Sequence, residues 1–191
     1  MTRFAIILAA FGIVGGAARA APITYTETAM ATGMLGTTPF TSALVTLTLT
    51  GDTSNVTIPF SGIFLNAVGT GTVNIAGVGT ATFTDQIEAL VNQSASLGGL
   101  GDFTTTRLML FAIDPGFTAC DLKSSFGPLS ATAQGSGSGT FFATTLGNLE
   151  FSSVSGNATF TARTSSVPEP ASMILLTTGL LGLAILRRKR S

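Results

Sequence analysis

Histidine and tryptophan are absent from this chain of 191 residues, and cysteine and tyrosine occur once each, as Cys120 and Tyr25. Without histidine there is no Ser-His-Asp or Cys-His catalysis, no histidine-ligated zinc and no imidazole proton shuttle near neutral pH. A single cysteine forms no internal disulfide, and Cys120 reads as a small buried hydrophobe rather than a reactive thiol. No Walker loop, no GxGxxG and no Gly-x-Ser-x-Gly is present. Cations are scarce too. Between residues 21 and 166 only Arg107, Lys123 and Arg163 are basic, so no positive stripe exists and nucleic acid is not expected as a partner.

Acids are the one chemical group left. The same stretch holds eight of them: Glu27, Asp52, Asp85, Glu88, Asp102, Asp114, Asp121 and Glu150. Eight acids against three bases leave a net charge of −5. A glycosidase needs two carboxyl groups across a cleft, but no local pattern marks any pair here. Asp52 and Asp102 follow glycine and Asp114 precedes Pro115, as turn residues do. No catalytic residue, no metal ligand and no cofactor is therefore assigned, and the expectation is a protein that is not an enzyme. Calcium held by loop aspartates stays open, with no ligands named, because hard oxygen donors suffice for it.

What the chain does have is threonine in strict alternation with apolar residues. Ile23 and Tyr25 alternate with Thr24, Thr26 and Thr28. Val45, Leu47 and Leu49 alternate with Thr46, Thr48 and Thr50. Ala81 and Phe83, and then Ala158, Phe160 and Ala162, repeat the pattern further on. A period of two with a β-branched polar face reads as half-buried strands. Leu108 to Ile113 is apolar throughout and reads as a strand covered on both faces, closed by the turn residues Asp114-Pro115-Gly116. Asp85 to Val91 is ambiguous between a strand and a turn or two of helix. Gly135-Ser136-Gly137-Ser138-Gly139 reads as a flexible loop.

Many short strands with regular turn punctuation predict an all-β fold, an antiparallel β-sandwich of jelly-roll-like type. A β-solenoid is the alternative, although no fixed repeat is visible. Ranks of threonine on such a sheet can order water and bind ice if they stand in register, which a sequence does not reveal. The plainer reading is an ordinary solvated strand face. Asn55, Asn92 and Asn157 each begin an N-glycosylation sequon.

Both ends depart from this pattern. Met1-Thr2-Arg3 precedes an apolar run from Phe4 to Ala17, and Ala18-Arg19-Ala20 supplies the small residues a signal peptidase needs. Residues 1–20 read as a signal peptide cut between Ala20 and Ala21. At the other end stand Val167, Pro168, Glu169 and Pro170, where two prolines enforce an extended, stiff segment. Ala171 to Leu186 is almost wholly apolar, about 24 Å as a helix, and reads as a single transmembrane helix. Arg187, Arg188, Lys189 and Arg190 follow it and favour the cytoplasmic side.

These three parts in this order resemble the PEP-CTERM protein-sorting signal of Gram-negative bacteria, a tail also called the ice-binding protein C-terminal domain. The resemblance covers residues 167–190. It implies an exosortase, a membrane-embedded cysteine transpeptidase, as the processing partner, a membrane-anchored precursor, and release to the cell surface or into exopolysaccharide. The expected organisation is thus a signal peptide over 1–20, an ectodomain over 21–166 and a sorting tail over 167–191. The expected role is a secreted surface or matrix protein. A carbohydrate-binding or adhesion module is the alternative, with an ice-binding protein or a carboxylate hydrolase behind it.

Overall fold

Period-two alternation is realised as twelve strands in the computed structural model, which describes residues 20–165. They are β1 (Pro22–Leu35), β2 (Thr38–Asp52), β3 (Thr57–Phe60), β4 (Ile63–Asn66), β5 (Gly69–Ile75) and β6 (Gly79–Thr82). Then follow β7 (Ile87–Asn92), β8 (Leu97–Asp102), β9 (Arg107–Ile113), β10 (Phe126–Gly135), β11 (Phe141–Thr144) and β12 (Gly147–Thr164). Every pairing between them is antiparallel. The only helical pieces among the described residues are short 3-10 turns at Thr53–Asn55 and Pro115–Ala119. The ambiguous stretch after Asp85 is a strand, with Ile87, Ala89 and Val91 buried on one face.

The sheet runs β3-β4-β7-β8-β9-β10-β12-β1-β2-β5-β6, with β11 added to β12. Strand β10 is the hinge of this path. Its first part pairs with β12 and its last three residues, Ala133 to Gly135, pair with β9. The sheet therefore folds into two layers that face each other. Glu27 of β1 accepts a hydrogen bond from the backbone N–H of Leu100 in β8 at 2.9 Å. Between the layers lies one core built from Ile23, Tyr25, Leu47, Leu49, Val73, Leu100, Met109, Leu110, Phe151 and Phe160, with their neighbours.

This order differs from a jelly roll, which winds through two Greek keys and sends most successive strands to opposite sheets. Here β7, β8, β9 and β10 follow one another as a meander. The cause is local for the first two links: β7–β8 and β8–β9 are joined by four residues each, too few to cross the core. The first and last strands, β1 and β12, lie side by side over most of their length.

Candidate functional site

The outer face of the layer made by β12, β1, β2, β5 and β6 is regular in two directions. Alternation sends Thr24, Thr26 and Thr28 outward from β1, and the pairing register lines them up with threonines on either side. The middle rank is Thr161, Thr26, Thr48, Thr72 and Thr82, one residue from each of five strands. The rank on one side is Thr159, Thr28, Thr46, Asn74 and Thr80, extended by Ser130 of β10. The rank on the other side is Arg163, Thr24, Thr50 and Thr70. Cross-strand hydrogen bonds tie members of a rank together. Thr159 donates to Ser130 at 3.1 Å, the Asn74 amide donates to Thr80 at 2.6 Å, and the Thr24 and Thr50 hydroxyls stand 3.5 Å apart. Beyond Thr28 and Thr46 the same face continues as Met30 opposite Leu44, both exposed.

At one corner of this layer an open cleft of about 410 Å³ lies between the start of β5 and the segment after β6. Val68, Thr70, Phe83, Thr84, Asp85 and Gln86 line it. The Gln86 amide is spoken for, since it donates to the Ala67 carbonyl. Asp85 is the one acid in the lining, so the cleft offers no pair of carboxylates for hydrolysis.

Five of the eight acids fall into two kinds. Asp52, Asp102 and Asp114 sit where the sequence puts them, at strand ends, and each accepts bonds from the turn that follows. Burial pushes the Asp102 carboxyl up, but the hydroxyls and N–H groups of Thr104 and Thr105 outweigh it and hold the group below its ordinary value. The hydroxyl and N–H of Ser54 likewise lower Asp52. Glu27 and Glu88, buried as Asp102 is, lie within strands rather than at a following turn. Loss of water raises Glu27 to about 8 against the single backbone bond from Leu100, and its other oxygen, Oε1, has no partner. Burial and then the nearby Asp102 charge raise Glu88 to about 7. Parity signals the position of Glu27, because a strand that points Thr26 and Thr28 outward points Glu27 inward.

Among the described residues no group of three or more His, Cys, Asp or Glu stands where it could hold a metal ion. Cys120 is buried, as its isolation in the sequence suggests, and burial raises its thiol to about 11, far from the thiolate a nucleophile requires. Tyr25 is held in the core, donating to the Leu122 carbonyl at 2.5 Å and accepting from the Asn66 amide at 3.0 Å.

The two expected processing sites frame this unit. Ala20 is exposed and Ala21 opens the fold, its N–H donating to Thr53 Oγ1 at 3.1 Å. Ala18, Val167 to Pro170, the apolar span 171–186 and Arg187 to Arg190 lie outside the described residues. The family comparison reaches the tail directly: a family model described as the PEP-CTERM protein-sorting motif matches residues 166–190. The chain carries a PEP-CTERM sorting tail. This motif implies an exosortase as the processing partner and export to the cell surface through a membrane-anchored precursor. No curated protein and no solved structure is similar to this PEP-CTERM chain at a significant level.

Proposed function

We propose that the mature PEP-CTERM chain is a non-enzymatic β-sandwich of the cell surface or extracellular matrix, embedded in exopolysaccharide once the tail is cut. The fit of the folded unit between its two addresses carries this reading. Strand β1 begins at Pro22, two residues after the expected signal-peptidase site at Ala20, and β12 ends at Thr164, three residues before Val167. Nothing of the sheet described over residues 20–165 is lost when both ends are removed. A structural role is further supported by an acid-rich unit whose most deeply buried carboxyl, Glu27, sits in the core rather than in a cleft.

In this reading the apolar span from Ala171 to Leu186 is the transient anchor and Arg187 to Arg190 its cytoplasmic stop. No cofactor takes part in this reading, and calcium held by loop aspartates stays open. Replacing Pro168, Glu169 and Pro170 by alanine tests it. The variant is expected to accumulate in the inner-membrane fraction at full precursor mass, with the surface and medium fractions depleted. Release equal to the wild type would overturn the sorting role of the motif.

A further inference from the structure

We propose that the threonine-ranked outer face of β12, β1, β2, β5 and β6 binds ice, through a layer of ordered water held between its hydroxyls and the crystal. The ranks supply three, five and four threonines in register. Along a strand the hydroxyls recur about every 6.7 Å, and across strands about every 4.8 Å. A surface that repeats one group in two directions matches a ligand that also repeats in two directions. A discrete ligand is recognised by an unlike set of groups, as the mixed lining of the Phe83 and Asp85 cleft would do.

Chemistry narrows the lattice further. Each threonine presents one hydroxyl, which both donates and accepts, beside one methyl group. Water in either orientation can therefore be bound at every position while the methyl groups stop it from exchanging freely with the bulk. The side chains are stiff at χ1, so little rotamer freedom is lost on binding. The bonds Thr159–Ser130 and Asn74–Thr80 hold neighbours in place before a ligand arrives. Charge complementarity points the same way. The unit holds eight acids, yet none of them stands in the three ranks, and the single charge there is Arg163 at the margin. An ionic mineral or an anionic polymer would need charge at the centre. A stacked sugar crystal would need aromatic rings, and the ranks contain none. Exposed Met30 and Leu44 extend the face with further apolar surface rather than with ions. A neutral lattice of donors and acceptors is what remains, and register alone carries the assignment, whatever the tail is called.

The test uses the full chain in lipid nanodiscs together with residues 20–165 alone. That unit pairs its first strand with its last and closes one core among the described residues. Both forms are expected to enrich in a slowly growing ice phase and to arrest recrystallisation of fine-grained ice. Thr48→Tyr, at the centre of the middle rank, should raise the protein concentration needed by about tenfold, the loss of one contact of hydrogen-bond size. Its melting temperature should stay that of the wild type, because Thr48 faces water. If it melts lower, Thr72→Tyr in the same rank takes its place. Ser61→Tyr, in the turn between β3 and β4, should change nothing. Exclusion of the wild type from ice overturns the proposal. So does undiminished activity in the ranked variants, or retention on an insoluble neutral polysaccharide without any effect on ice. The export reading is separate, since a chain trapped in the inner membrane keeps the same face.

Discussion

Glu27 shows how one residue can set the pH response of the whole fold. Its carboxyl moves from 4.5 to about 8 on folding because burial strips away its water. Between those values the folded state keeps a proton that the unfolded state has released. Its contribution to stability is therefore full below about pH 4, falls as pH rises through the window to about 8, and levels off beyond it. The slope from this group is at most about 1.4 kcal/mol per pH unit. Glu88, raised to about 7 by burial and by Asp102, adds a slope of the same sign. In Glu27→Gln the amide oxygen still accepts from Leu100 N–H and no charge can form. The variant should thus gain on the wild type steadily from pH 5 to pH 8 in thermal melts. A constant gap across that range would mean that Glu27 does not titrate there. Tyr25 and Asn66 make the same point without titration: both are buried because each finds partners inside, the tyrosine hydroxyl on Leu122 and the asparagine amide on Tyr25 and Asp52.

Among the elements, β8 is built by what it leaves out. Gly98, Gly99 and Gly101 give it a nearly bare backbone, and Phe117 of the Pro115–Ala119 turn lies against Gly98. That ring also meets Phe160 at a centroid distance of 5.6 Å and Phe126 at 5.9 Å, so the loop between β9 and β10 is anchored to both layers. A Cβ at Gly98 would clash with Cε1 of Phe117. Gly98→Ala is expected to cost about 1–3 kcal/mol in urea unfolding, the usual price of overpacking. Gly137→Ala is the contrast, since open space surrounds it and its φ is not positive. It should be neutral or stabilise by up to about 1 kcal/mol. Equal effects of the two would refute the packing role of Gly98. The elements also show what a sequence tells. Alternation gave away the inner faces of β1, β2, β6 and the last part of β12, because one covered face leaves a period of two. The turn after Ile113 was equally legible from Asp114, Pro115 and Gly116. Alternation says nothing about partners, so the meander from β7 to β10 and the shared strand β10 were hidden. The threonine ranks were hidden for the same reason: each strand declares its own face, while register belongs to pairs. Irregularities between Thr28 and Met30 and between Thr32 and Gly33 shift the β1–β12 pairing, which no single-strand pattern encodes.

At the scale of the whole molecule, the two ends of the described unit, Ala21 and Ser165, stand at one end of the sheet. Ser165 N–H donates to the Pro22 carbonyl at 2.9 Å, and Thr53 N–H donates to the Ala21 carbonyl at 2.9 Å. Thr164, paired with Ile23, is the last residue of β12, and Val167 follows only three residues later, about 10 Å of fully extended chain. A membrane-embedded transpeptidase that cuts near Pro168 must therefore work almost against the folded sheet. Either its site accommodates the end of the layer, or the last pairs of β12 open before each cut. Opening even one of their backbone hydrogen bonds, at about 0.5–1.5 kcal/mol, would slow processing by up to roughly tenfold. A four-residue Gly-Ser insertion between Ser165 and Ser166 removes that need without touching the motif or the sheet. Pulse-chase labelling of cells carrying the exosortase should then show the precursor converted up to about tenfold faster. Conversion at the wild-type rate would mean that the folded end is no obstacle and that the enzyme receives the sheet and the motif together.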